Sequence, residues 1–323
     1  MRRNRVYFIL LIMILVIIIT FTSLGMLDVR KEEKYYQVSV IVSNSGSGRW
    51  ISFKEGLEQG AKDNNINLNI VSTSAFDRLE EQNEIISREI KNGANGIVLE
   101  PSFKTSVDQT LETLLSGAAL VLVETDFISE NIYTTIKLDD YAIGKTTATE
   151  IKEDWHDEVN GIQIGVLSGN QNKPSLQQRL KGFSETIDQS GAHIRWNIEG
   201  SGDGVMQILQ EKQKNEPVDV LVALDNDEIE LTMDYMEYDK GSKFKVYGVG
   251  CSEKAVYYLD KGYIQALNVP NQFNMGYQSM VVIADQMNNH VITEKNINID
   301  YIVVNKNNLY DKINEKLLFP IVQ

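Results

Sequence analysis

The sequence predicts an α/β fold of two similar lobes, each a parallel sheet flanked by helices, preceded by one N-terminal transmembrane helix. Three observations predict it. Short, nearly continuous apolar runs alternate with amphipathic stretches from residue 36 onward, the pattern of parallel strands covered on both faces. That alternation passes through two cycles of similar length. Residues 6–27 are 22 positions without a charge, and a helix needs ~20 to span a hydrocarbon core.

The N-terminal segment comes first. Arg2, Arg3 and Arg5 precede the apolar run, which keeps its start in the cytoplasm and places the body outside. A cleaved signal peptide is the rival, since Ser23-Leu24-Gly25 puts small residues at −3 and −1. The run exceeds the usual ~7–15-residue signal core, which favours an uncleaved anchor. No cysteine follows it, which argues against a lipoprotein. Residues 28–34, DVRKEEK, form a charged spacer.

In the first cycle, strands are predicted at 38–42, 68–71, 96–99, 119–123 and 133–138, with helices at 49–64, 77–91 and 106–115. Trp50, Phe53, Leu57 and Ala61 recur three and four apart, on one helix face. In the second cycle, strands are expected at 162–167, 192–198, 218–224, 244–249 and 264–269. Helices are expected at 141–151, 176–189, 204–214, 228–238, 252–261 and 273–287. No low-complexity linker separates the cycles, so short crossings join them.

Composition excludes several classes. Residues 1–27 hold three arginines and no acid, so the rest carries 28 basic and 45 acidic residues, a net −17. Phosphate binding needs clustered Lys and Arg, so a nucleic-acid partner is not expected. Cys251 is the single cysteine, which rules out an intrachain disulfide and a multi-cysteine zinc site. His156, His193 and His290 are scattered, and no metal site is expected. Gly144-Lys145-Thr146 lacks the upstream glycine of a phosphate loop, Asp139 standing there. Residues 200–204, GSGDG, read as a tight turn, and 225–228, DNDE, lack the glycine and distant Glu of a calcium loop. No catalytic constellation and no cofactor motif is found, so an enzyme is not expected.

The informative segment is the first strand-to-helix loop, residues 43–50, SNSGSGRW. Ligands of parallel sheets bind beyond the carboxyl ends of the strands. The loop offers Ser47, Arg49 and Trp50 there, and a sugar needs both a ring to stack on and paired polar groups. Later strand ends add the amide Asn226 and the carboxylates Glu124, Asp126 and Asp225, which form strong charge-assisted bonds. Trp50 also shares a helix face with Phe53 and Leu57, so core packing competes with a stacking role.

From Tyr36 to Val304 the chain resembles the type I periplasmic-binding-protein family, the ribose- and galactose-binding-like solute receptors. The resemblance lies in the order of VSVIVSNSGSGRWISFKEGLEQGAKDNNINL, EEQNEIISREIKNGANGIVLEPS, GAALVLVETD, LDDYAIGK, QQRLKGFSETI, VDVLVALDNDEIEL and KVYGVGCSEKAVYYLDKGYIQALNVPNQFNMGYQSM. It implies an anchor and spacer over 1–35, an N-terminal lobe of 36–139 plus 270–300 and a C-terminal lobe of 140–269 plus 301–323. Three crossings would join the lobes, near 138–140, 269–271 and 299–303, and the lobes would hinge shut on a ligand.

Carried over by position, the ligand residues fall on Ser47, Arg49, Trp50, Glu124, Gln177, Arg179 and Asp225 or Asn226. Glu124 replaces a usual Asp, Gln177 stands where an Arg is usual, Gly250 or Cys251 where an Asp is usual, and Pro270 where a hinge Gln is usual. The missing lipobox and retained apolar segment look more like membrane-anchored sugar sensors of Gram-positive bacteria that pair with a sensor histidine kinase. The expected function is thus an extracytoplasmic, single-pass sugar sensor in the cell membrane. The alternative is the substrate-binding receptor of a sugar ABC transporter, with a permease as partner.

Overall fold

A computed structural model of the chain describes residues 2–26, 35–76, 78–103, 117–125, 134–200, 202–241, 243–288 and 295–318. The expected helix at 106–115 lies outside the described residues.

The first unit is helix α1, Arg2–Met26, 25 residues long. Among the described residues, no helix is long and apolar enough to cross a membrane. The transmembrane assignment expected from the sequence is therefore not supported here.

The second unit holds everything from Gln37 onward and is built on two six-stranded sheets. The first sheet contains β1 (Tyr36–Ile41), β2 (Ile66–Ile70), β3 (Gly96–Leu99), β4 (Ala119–Val123), β5 (Thr134–Leu138) and β11 (Asn296–Ile299), in the order β11-β5-β4-β3-β1-β2. Helices α2 (Ile51–Asp63), α3 (Leu79–Lys91) and α9 (Gln272–Met287) belong to it. The second sheet contains β6 (Gln163–Gly169), β7 (His193–Glu199), β8 (Val220–Ala223), β9 (Lys245–Val249), β10 (Ile264–Pro270) and β12 (Tyr301–Asn305), in the order β12-β10-β9-β8-β6-β7. Its helices are α4 (Asp140–Trp155), α5 (Pro174–Ile187), α6 (Asp203–Asn215), α7 (Asn226–Tyr238) and α8 (Glu253–Asp260), with α10 (Lys312–Leu318) at the end of the chain.

The strands form where β-branched and apolar residues run together, as in the fully buried Gly96–Leu99 and Val220–Ala223. The expectation of two wholly parallel sheets needs one correction. β12 runs antiparallel to β10, with Val269 opposite Ile302 and Pro270 opposite Tyr301. β12 is not reached through a helix of its own sheet: the chain enters it straight from β11 of the first sheet, across the single residue Asp300.

The chain passes between the sheets at Asp139, Asn271 and Asp300. Two of these residues also start helices. The Asp139 carboxylate accepts from Ala142 N–H and the Asn271 side chain from Asn274 N–H, satisfying otherwise orphaned first-turn donors. Asn271 N–H donates to Asp300 C=O at 3.0 Å, so two crossings are tied together.

In each half one helix pair packs backbone to backbone. A Cβ on Gly144 of α4 would lie 2.0 Å from the Arg179 carbonyl oxygen, and one on Gly182 of α5 would lie 2.1 Å from that of Tyr141. The pair α2 and α9 repeats this, with Gly56 2.0 Å from Phe273 O and Gly276 2.1 Å from Phe53 O. Within α4 the Gly-Lys-Thr triplet is thus a helix-packing element, far from any phosphate-loop geometry.

Gly144→Ala is expected to lower unfolding free energy by about 1–3 kcal/mol despite alanine's better helix propensity, because the two helices must move apart. Urea denaturation of the variant checks it. A neutral or stabilised variant would contradict the close approach.

Candidate functional site

The strand ends of both sheets meet around one buried carboxylate, Glu100, at the end of β3. It is 1% exposed and has three partners. Ser43 N–H donates to Oε2 at 2.7 Å, Arg49 Nη2 approaches Oε1 at 2.7 Å, and Lys173 Nζ approaches Oε1 at 3.0 Å. Ser43 and Arg49 belong to the loop after β1. Lys173 stands immediately before α5, in the other half of the molecule. Burial alone would raise the Glu100 carboxyl, but Arg49 and Lys173 outweigh it and hold it at about 2.

Arg49 divides its guanidinium between two acids. Nη2 takes Glu100, and Nη1 lies 3.2 and 3.0 Å from the two carboxylate oxygens of Glu124. Glu124 follows β4 with φ at +63°, a left-handed backbone that costs a non-glycine residue energy and is held by its surroundings. Glu124 N–H still donates to Ile136 C=O at 3.0 Å. Gln272 Nε2 at the start of α9 reaches Glu124 Oε1 at 3.4 Å.

Arg179 anchors the other half. From α5 it binds Asp140 at 2.7 Å, the Leu224 carbonyl at 2.9 Å and Asp225 at 3.2 Å. Burial works against its charge, but Asp140 and Asp225 hold the guanidinium protonated. Asp225, at the end of β8, is pulled down by Arg179, Arg49 and Lys173 against its own burial. Burial keeps Asp140 above the usual range in spite of Arg179.

Among the spaces that adjoin this network, one lies inside it and one outside. The inner one, about 30 Å³, lies among Arg49, Glu124, Arg179, Asp225 and Gln272, room for about one water. The outer one is a cleft of about 1120 Å³ between the two halves. Ser43, Asn44, Ser47, Phe76 and Phe103 line one wall, and Asn170, Asn172, Lys173 and α7 line the other.

The residues expected from the sequence divide accordingly. Arg49, Glu124, Arg179 and Asp225 come together, and Ser47 lines the outer cleft. Trp50 requires a correction. Its ring is fully buried, its Nε1–H donates to Ser43 C=O at 3.1 Å, and it packs on Phe53 with centroids 5.0 Å apart. The Arg49 guanidinium lies 3.9 Å from the ring centroid, so no face is left for a ligand. The core face shared with Phe53 and Leu57 prevailed. Gln177 is exposed and donates to Gln171 C=O at 2.6 Å, away from both spaces. Asn226 lines the inner chamber, but its Oδ1 accepts from Cys251 N–H at 3.1 Å, which fixes the loop after β9. A Cβ on Gly250 would lie 2.8 Å from that Oδ1, which explains the glycine where an Asp was anticipated. Cys251 is half-buried, and desolvation pushes its thiol up to about 12, which keeps it from forming the reactive thiolate. Asp126 lies outside the described residues.

Sequence reasoning missed Glu100, Lys173, Asp140 and Gln272. Glu100 carried a signal, an acid directly after the apolar run of β3. Lys173 carried none, since a lysine before a proline is an ordinary helix start.

The Glu100 ion pairs predict a pH dependence. Its carboxyl sits below the unfolded value of ~4.3. Their stabilisation is therefore complete above that pH and declines as pH falls toward 2. Glu100→Gln should be less stable at neutral pH and show a shallower loss across that window. Urea midpoints measured from pH 7 to pH 2 decide it, and parallel curves for the two proteins would refute it.

Solved structures share this architecture. A carbohydrate transporter solute binding protein from Agrobacterium radiobacter, in complex with D-arabinose, superposes with a TM-score of 0.78 at 18% identity, covering 88% of this chain and 99% of its own. A periplasmic solute binding protein of an ABC transporter from Actinobacillus succinogenes, with bound D-allose, gives 0.74 at 14%, covering 84% and 98%. A glucose-galactose binding protein from Geobacillus stearothermophilus gives 0.72 at 16%, covering 86% and 99%. At these identities the likeness establishes the fold. No curated protein matches the sequence. The family described as periplasmic binding protein domain matches residues 38–290, a family of solute receptors that are not enzymes. With that match spanning most of the chain, the protein belongs to the periplasmic binding protein domain family.

Proposed function

We propose that this protein is an extracytoplasmic sugar receptor, held at the membrane by α1, that closes its two halves on a carbohydrate and reports occupancy to a membrane sensor histidine kinase. The observation that carries the reading is the cleft of about 1120 Å³ at the carboxyl ends of both sheets, bridged by Lys173 and Glu100. Its walls have the amides and hydroxyls that sugar oxygens need, from Asn44, Ser47, Asn170 and Asn172. Phe76 and Phe103 supply rings for a sugar's C–H face in place of Trp50. Arabinose, allose and glucose or galactose in the names of structural neighbours support carbohydrate as the ligand class.

Anchorage is supported by the 22 uncharged residues behind three arginines and by the 25-residue length of α1. A tethered receptor delivers its signal beside a membrane partner, and a ligand shifts closure by its differential affinity for the open and closed forms. The two lobes are proposed to divide at the crossings, with α9 and β11 returning to the N-terminal lobe. A transport receptor is the second reading, favoured by neighbours described as ABC transporter proteins.

Phe103→Ala should weaken sugar binding about tenfold with the fold intact, whereas Trp50→Ala should impair folding itself. Calorimetric titration with pentoses and hexoses, beside thermal melts, separates the two; normal folding of Trp50→Ala would revive the stacking role. Lys173→Met should open the ligand-free protein, read as a larger radius of gyration in solution scattering, and an unchanged radius would remove the bridge from the closing mechanism. Gene deletion that abolishes sugar-induced transcription while uptake persists would support the sensor; lost uptake with intact induction would establish the transport receptor.

A further inference from the structure

One wall of the outer cleft carries more negative charge than its neighbours neutralise. Asp227, Glu230 and Asp234 recur at helical spacing on the face of α7 that lines the cleft, with Asp225 just before them. Acids in a first helical turn are ordinarily explained by the helix dipole, and that accounts for Asp227. Asp234 is paired with Lys254. Glu228 shares that first turn and its dipole, but a dipole supplies no hydrogen-bond partner. Glu228 lines the same cleft, is 4% exposed, and its Oε2 has no hydrogen-bond partner.

The cations nearby are already committed. Arg49 is divided between Glu100 and Glu124, Lys173 is held by Glu100, and Arg179 by Asp140 and Asp225. Three cations therefore face four paired acids before Glu228 and Asp227 are counted. Burying a carboxyl without a partner is costly. Burial, then Asp225 and Asp227, push the Glu228 carboxyl well above the usual range, the expected behaviour of an acid that lacks its counter-charge.

We propose, resting on the sugar-receptor reading, that the ligand of this cleft is an amino sugar whose ammonium group lies against Glu228, Asp225 and Asp227. An ammonium brings three donors and a positive charge. It satisfies the open Glu228 oxygen and supplies the missing cation, while the hydroxyls of the same molecule meet Asn44, Ser47 and Asn170. A neutral hexose of the same shape leaves Glu228 unsatisfied or forces it to remain a protonated donor.

The test is isothermal titration of the full chain with D-glucosamine and D-galactosamine against D-glucose and D-galactose at neutral pH. The amines should bind at least about tenfold more tightly than their parent hexoses, the contribution of one charge-assisted bond. Glu228→Gln should abolish that preference, and Asp227→Asn, at an exposed position, should reduce it severalfold. Equal affinity for amine and hexose, or an unchanged preference in both variants, overturns the proposal and leaves sugar reception standing. Binding of putrescine with no sugar bound removes the sugar reading and retains the ammonium site. Failure of both sugar series and of putrescine overturns both.

Discussion

The architecture turns on a carboxylate buried between two halves of one chain. Glu100 is nearly sealed from water, yet it remains ionised because Arg49 reaches it from its own side and Lys173 from the opposite side. A buried charge is tolerated only where its partners are well placed. That requirement fixes the loop after β1, the end of β3 and the start of α5 relative to one another. Arg49 carries the constraint to Glu124, whose left-handed backbone aims it at the guanidinium. Arg179 provides the equivalent anchor for Asp140 and Asp225. The strand ends are thus registered by electrostatics, while the interiors of the sheets are held by apolar packing.

This division accounts for the shape of the free space. In the inner chamber, side chains of the protein neutralise one another, leaving about 30 Å³. The usable volume lies outside it, between loops of small polar residues and the acidic face of α7. In the proposed receptor, recognition falls to amides, hydroxyls and two phenylalanines, with Arg49 also lining the cleft.

Most of the fold was legible in the sequence because burial on both faces writes a strand as an unbroken apolar run. Strands such as Gly96–Leu99 and Val220–Ala223 emerged from that rule alone. β11 and β12 did not, since Asn296–Ile299 alternates polar and apolar residues and Tyr301–Asn305 returns without a helix, against the pattern of the rest. At the site, acids at strand ends were readable by position, as with Glu124 and Asp225. Trp50 was misjudged because helical spacing states which residues share a face but leaves open whether that face looks into the core or the cleft. Lys173 was invisible for a different reason: its role depends on Glu100, 73 residues earlier in the chain, and no local pattern encodes such a pairing.

The helix pair α2 and α9 carries a consequence for how the molecule is made. Their glycines interlock across roughly two hundred residues of intervening chain, and β11 completes the same sheet later still. Contacts of such long range are slow to form. The half of the protein that is synthesised first therefore cannot be finished until β11 has emerged, near the end of the chain. Its apolar sheet face stays uncovered until almost the whole polypeptide has emerged, the interval in which chaperone capture or aggregation competes with assembly.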